Sequence, residues 1–442
     1  MANTHLQKTF SASANRERQT ISVWLKRTGV LGTTQAIFSV YGNESYYAHL
    51  RFKSDDSIQL YNNSDINIRT NRKFRDVNAW YHIHVIIDTP NSTSTDRIRL
   101  YVNGERETDL ANTVYPAVNG EIKFGDSNLH SIGSYDSGSY FDGCMSHFHF
   151  ITNNAYEPTV FGSTDSTTGE WKINTNPNVT YGTNGFFVLK DGNSGTDESG
   201  NSNNFTVAGG TLTNTEDNPS NVFATLNAIN NYYPNNTLSN GNTSFTQPAS
   251  TYASTGTTLG MTSGKWYAEV KCTYVDNWGM VGIFGTQPTA SGDDIGKEID
   301  GYAYFGGSSA GGSFQKRNNN TNTSYDTTFT TNDIISIAVD LDNYKIYFGK
   351  NGTWLNSGDP TSGATGTGAA FTISQTPSSG AYFFAAGNWD GDNGFNASWN
   401  FGNGYFGTTA VSSAGTNASG NGIFEYDVPT GYTALSTKGL NL

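Results

Sequence analysis

Two cysteines in 442 residues, Cys144 and Cys272, are too few for a disulfide framework, and one falls in each half of the chain. That scarcity fits maturation in a reducing cytoplasm, with both thiols read as small buried hydrophobes. Basic charge is also short, with 25 Lys and Arg against 38 Asp and Glu and a net charge of −13. Nucleic-acid affinity rests on neutralising phosphates, so nucleic acid is excluded as a partner and the acidity is read as favouring solubility. No apolar run approaches the ~20 residues of a spanning helix, so no membrane insertion is expected. The opening MANTHLQKTF has no apolar centre of a signal peptide, so classical secretion is not expected. Helix formers dominate no window, and heptads, collagen triplets and solenoid repeats are missing, so the chain has no stalk of its own.

What the chain does have is 50 Gly, 25 Tyr and 26 Phe, with abundant Asn, Ser and Thr. Aromatics and Thr suit pleated surfaces, while Gly and Asn supply positive φ at turns. In YYAHLRFKSDDSIQLYN, Ala48, Leu50 and Phe52 alternate with Tyr47, His49 and Arg51, SDDS turns the chain, and Ile58 and Leu60 rejoin the apolar face. DRIRLYVNGERE repeats the logic, with Ile98, Leu100 and Val102 inward and a hairpin turn at Asn103-Gly104.

Residues 191–220 are polar and Gly-rich with one short strand candidate at Phe205 to Val207, and the domain boundary is placed there. The expected domains are 1–213 and 214–442, a length that suits two cores better than one. Strands resume in GKWYAEVKCTY, where Trp266, Ala268 and Val270 form one face and Lys265, Tyr267 and Glu269 the other. DIISIAVDLDNYKIYFGKNGTW adds an apolar strand from Ile334 to Val339, a turn at Asp342-Asn343, a return through Ile346 and Phe348, and a turn at Asn351-Gly352. A strand apolar on both faces belongs inside a sandwich. The fold class expected is all-β, two antiparallel β-sandwich (jelly-roll) domains in tandem.

The first half resembles the laminin-G-like, concanavalin A-like jelly-roll family over most of residues 8–212. RQTISVWLKRTG, WYHIHVIIDT, RIRLYVNGE and YFDGCMSHFHFI carry the resemblance. The second half resembles a SPRY domain over about residues 219–433, through SGKWYAEV, GIFG, DLDNYKIYFGKNGTW, FNASWNFG and VPTGYTAL. A jelly roll joined to SPRY through FGSTDSTTGEWK and NGFFVLK is similar to an arrangement in marine bacteriophage proteins, which implies a virion-associated role and a place in the virion. It names no receptor, because one fold hosts many functions.

The concanavalin A-like fold also carries glucanases, and retaining hydrolysis needs two carboxylates about 5 Å apart. Glu298 and Asp300 begin an alternating acid string with no second Glu, and Glu105, Glu107 and Asp109 follow a hairpin turn, where a charged edge strand explains them. No catalytic residue is assigned. His82 and His84, with His147 and His149, form two i, i+2 pairs that neighbouring strands would bring together, but no local Cys or carboxylate completes a metal site, and partly buried histidines are the favoured reading. Calcium is the better metal guess, since the resemblance implies loop carboxylates. Its candidate ligands are Asp293, Asp294, Asp390 and Asp392, in runs that follow no defined calcium-loop spacing and read more simply as solvated turns.

Binding by stacked aromatics is the favoured mechanism, because sugar rings present apolar faces to Trp and Tyr while polar loop groups bond their hydroxyls. The SPRY resemblance implies ligands at the loops of one end, which points to Trp278, Tyr302, Tyr304, Arg317 and Trp389, flanked by Gly, Asn and Asp. In the first domain Tyr46, Tyr47, Tyr135 and Tyr140 are the comparable candidates. The reading is a non-enzymatic virion protein, in a fibre, spike or capsid appendage, that binds a host-surface glycan or protein. The rivals are a decoration protein whose partners are other virion subunits and a polysaccharide depolymerase. A homo-oligomer is compatible with all three.

Overall fold

The computed structural model describes residues 3–28, 31–77, 79–136, 138–190, 194–232, 236–247, 253–289, 293–307, 315–388 and 394–441. The chain divides into two compact units, Met1–Asn214 with Asn218–Ser220, and Thr215–Asp217 with Asn221–Leu442. Among the described residues the helices are short 3-10 turns such as Ser94–Asp96, and none is long or apolar enough to cross a membrane. Both units are β-sandwiches, as the alternation predicts.

In the first unit an eight-stranded sheet runs in the spatial order Leu110–Val114, Ile66–Thr70, Ile58–Asn62, Tyr46–Phe52, Gln35–Asn43, Leu129–Ile132, His5–Thr9 and Thr206–Gly209. The six-stranded sheet runs Phe186–Val188, Gly143–Thr152, Arg18–Arg27, Tyr81–Asp88, Ile98–Val102 and Glu105–Arg106. Side chains on successive strand residues point to opposite faces, so Ala48, Leu50 and Phe52 enter the core with Ile21, Val23, Phe38, Ile83 and Phe148. Asn103 and Gly104, at φ 49° and 80°, make the tight turn between Ile98–Val102 and Glu105–Arg106. Arg27 lies on this sheet fully buried, ion-paired with Asp56 at 3.0 Å and set 4.4 Å from the Phe52 ring.

In the second unit a seven-stranded sheet has the order Leu226–Tyr232, Ala253–Thr257, Phe383–Asn388, Asn277–Phe284, Gly301–Gly307, Gln315–Asn318 and Thr321–Ser324. A nine-stranded sheet carries Thr237–Ser239, Ser244–Gln247, Phe395–Asn400, Lys265–Val275, Ile334–Asp340, Lys345–Lys350 and Thr353–Trp354, with Phe371–Thr372 and Thr433–Ala434 added off that path. Thr433–Ala434 runs parallel to Lys265–Val275, an exception to the antiparallel expectation. The core joins Trp266, Ala268 and Val270 to Ile335, Ile337, Phe384 and Trp399. The other face of Lys265–Val275 is also covered: Tyr267 packs with Ala338, Tyr347, Phe424 and Tyr432. The C-terminal segment therefore gives this sheet a second apolar layer.

Candidate functional site

Several loop expectations give way to the core. Trp278 lies in the strand Asn277–Phe284, 9% exposed, in a layer with Met280, Phe284, Ile295 and Phe305, and its ring meets Phe305 edge-on at 5.7 Å. Tyr302 and Tyr304 lie in the strand Gly301–Gly307 and are 3% and 0% exposed. The Tyr302 hydroxyl accepts the Ser374 backbone N–H at 2.8 Å, and the Tyr304 ring packs on Tyr325, Phe329 and Phe348. The reason lies in their glycine neighbours, which are close-packing positions here. A Cβ at Gly306 would meet the Phe329 ring at 2.1 Å, and one at Gly282 would meet the Tyr302 carbonyl at 2.0 Å.

Arg317 is buried as well, ion-paired with Asp294 at 3.1 Å and bonded to Asn322 at 2.7 Å. Asp293 pairs with Lys297, so both described calcium candidates are engaged with bases. Burial pushes the Asp294 carboxyl above its ordinary value even beside that guanidinium. Trp389, Asp390 and Asp392 lie outside the described residues. Among the described residues no group of three or more His, Cys, Asp or Glu is arranged to hold a metal. Three of the five carboxylates weighed for hydrolysis have other partners: Asp300 accepts the Thr286 and Ser378 N–H groups, Glu107 pairs with Arg72, and Asp109 accepts from Asn71.

The four paired histidines lie on the back of the six-stranded sheet, with Arg18–Arg27 between the two strands that bear them. His82 accepts the Trp171 indole N–H at 3.0 Å on Nδ1, which leaves Nε2 as the donor to Ser22 at 2.8 Å. His84 reaches the Tyr156 carbonyl and His149 the Tyr181 hydroxyl, at 2.9 and 2.8 Å. All four are buried, and burial holds their pKa values below the ordinary 6.5, at about 3 for His84 and about 4 for His147.

Among the described residues two arrangements stand out as open to a ligand. The first covers the outer face of the eight-stranded sheet. Tyr47 and Tyr135, both half-buried, meet at 5.8 Å between ring centroids, and Tyr41 and Tyr61 each lie 5.8 Å from one of them. His49 is sealed beneath, stacked on Tyr61 at 5.3 Å and held to a pKa of about 3 by burial. Alongside, Arg51 donates two bonds to Gln59 Oε1 and Gln59 donates to Asn67 at 2.8 Å. This is a tyrosine platform with a polar border. Tyr46 does not join it, since its hydroxyl accepts from Arg16 and Lys123 sits 4.9 Å from its ring. Tyr140 lies against His5 instead, at 5.5 Å. Tyr41 and Tyr61 were readable from the alternation of their strands, where they share the face of Tyr47.

The second is a cavity of about 550 Å³ in the second unit, lined by Tyr267, Ser336, Trp354, Glu425, Tyr426 and Asp427 among others. Behind it the buried Glu269 carboxylate accepts the backbone N–H groups of Glu425 and Tyr426, each at 2.8 Å, and the Tyr267 hydroxyl at 3.0 Å. Burial pushes that carboxyl up to about 7. Glu269 thereby fastens the segment carrying Glu425, Tyr426 and Asp427 onto the sheet. Glu269 falls on the outward face of its strand with Lys265 and Tyr267, where alternation alone reads an acid as solvated, and nothing periodic marks residues 425–427.

Residues 2–159 match a family model described as the concanavalin A-like lectin/glucanases superfamily. Most of the first unit is thus similar to a superfamily that holds both lectins and glucanases. The match spans just over a third of the chain, and no curated protein matches it. Solved structures similar in part include the SPRY domain of human HERC1, at 16% identity over 39% of this chain and 96% of that one, with a TM-score of 0.29. A human SPRY domain gives 15% identity over 37% and 94%, with a TM-score of 0.28. The native heptameric SAP-like pentraxin from Limulus polyphemus gives 18% over 35% and 72%, with a TM-score of 0.26.

Proposed function

We propose that this chain is a non-enzymatic binding protein of a bacteriophage virion, and that its first unit holds a host-surface glycan against the tyrosine platform. The observation that carries the reading is the group of half-exposed rings at Tyr41, Tyr47, Tyr61 and Tyr135 on one sheet face. Pyranose faces stack on such rings, and the half-buried Arg51 and Asn67, held in place by the buried Gln59 between them, offer polar groups to hydroxyls beside them. The similarity of residues 2–159 to a superfamily of lectins and glucanases supports a carbohydrate as the ligand. The virion role follows from the joined jelly-roll and SPRY resemblance.

A glycan array with the intact chain tests the proposal. Tyr47→Ala and Tyr61→Ala should each weaken binding about tenfold or more, the equivalent of ~1.4 kcal/mol, while the fold persists. Binding indifferent to both substitutions rejects the platform. Icosahedral copy number on purified particles with no glycan retained would make the chain a decoration protein instead. Release of reducing ends from host polysaccharide would make it a depolymerase.

A further inference from the structure

The cavity of the second unit sets aromatic rings and carboxylates among small Ser, Gly and Ala residues. Three aromatic rings line it, Tyr267, Trp354 and Tyr426, and two carboxylates, Glu425 and Asp427. No Lys, Arg or His is among its lining residues. Trp354 and Tyr426 are the half-buried rings of the lining, while Tyr267, fully buried, forms its back and meets Trp354 at 70° with centroids 6.4 Å apart. The acids are positioned by their own short bonds: Asp427 Oδ1 accepts the Thr416 N–H at 2.6 Å and its hydroxyl at 2.8 Å, and Glu425 accepts the Ser412 N–H at 2.6 Å. Glu269 clamps the backbone between them, so the acids are held without any cation in the wall.

The surroundings reinforce this sign. The charged groups acting on the Tyr426 hydroxyl are Glu425, Glu269 and Asp333, which raise its pKa after burial, the largest cause, has done so. The second unit as a whole carries 8 basic against 17 acidic side chains, whereas the first carries 17 against 21. A cation placed over aromatic faces gains about 0.5–2 kcal/mol, more as it is desolvated, and paired carboxylates add charge-assisted hydrogen bonds. A planar guanidinium satisfies both demands at once, by stacking on a ring while forking onto a carboxylate.

We propose that this cavity is a receptor for an arginine side chain presented by a protein partner. The occupant is separate from the glycan assigned to the first unit, and the site is complete within the second. A volume of about 550 Å³ is in the ordinary range for ligand pockets, roughly 300–1,000 Å³, and admits the whole side chain.

The test titrates the full chain with N-acetyl-arginine amide and with its neutral isostere N-acetyl-citrulline amide, followed by saturation-transfer NMR. Saturable binding of the arginine probe is expected, weakened by salt, with citrulline binding about tenfold weaker or not at all. Glu425→Gln and Asp427→Asn should each weaken the arginine probe by a similar factor. Ala414→Arg, at an exposed lining position between Ser412 and Thr416, which bond the two acids, should place its own guanidinium in the cavity and abolish binding even if the acid variants fold poorly. Equal binding of the two probes overturns the proposal, as does arginine binding untouched by Ala414→Arg or displacement of the probe by neutral methyl glycosides.

Discussion

In the first unit the buried titratable groups are mainly bases, and in the second the deepest is an acid. All seven histidines belong to the first unit and lie on its sheets' strands, six of them fully packed, while the second has none. The second instead buries Glu269 beneath its C-terminal segment. Burial disfavours the charged form in either case, so it lowers the histidines and raises the carboxyl. Through these groups two sandwiches of similar design carry opposite linkage to pH.

The largest effect expected from that contrast is in acid. His84 and His49 hold folded values of about 3, and His130 and His147 about 4, against 6.5 when unfolded. Between pH 6.5 and 4 the unfolded chain binds the protons and the folded one does not, so first-unit stability falls as pH falls. Each such histidine contributes a slope of about 1.4 kcal/mol per pH unit. Calorimetry from pH 7 to 5 should show one transition dropping steeply. For Glu269 the sign reverses: with folded and ordinary values of about 7 and 4.5, the folded state binds the extra proton in that window. Its stabilising contribution is present below pH 4.5 and is lost as pH rises through 7. The second transition should resist the acid shift, and a parallel fall of both would break the comparison.

Next in size is Glu269→Ala, which strands the N–H groups of Glu425 and Tyr426 and should cost about 3–5 kcal/mol in the second transition only. Trp278→Ala should cost a similar ~3–5 kcal/mol by opening a cavity in the packed layer, with glycan binding in the first unit unchanged. Denaturant titration followed by the array separates that from a ligand-binding role. The smallest effect is expected for Arg18→Ala, whose partner Asp88 is 3.0 Å away across a largely exposed pair, and should stay below about 1 kcal/mol.

The strands were legible because strand stereochemistry is local. Ile98, Leu100 and Val102, or Trp266, Ala268 and Val270, point inward wherever the chain is extended, and Asn103-Gly104 and Asn351-Gly352 accept the positive φ that a tight turn needs. Much of the site was not legible. Tyr302 and Tyr304 beside glycines looked like loop residues, because a glycine that frees the backbone and one that admits a ring are the same letter. In the first unit Tyr47 and Tyr135 are about 90 residues apart and meet only when the segment after Leu129–Ile132 folds back over the sheet.

The linear order of side chains thus determined the all-β class, the turns and the inward face of many strands, since each depends on residues within a few positions of one another. Tertiary structure alone decided which outward faces would be covered. The layer over Trp278, the clamp on Glu269 and the open rings around Tyr47 all join segments far apart in sequence. Burial of a second face depends on what arrives from a distance, and alternation along a single strand carries no record of it.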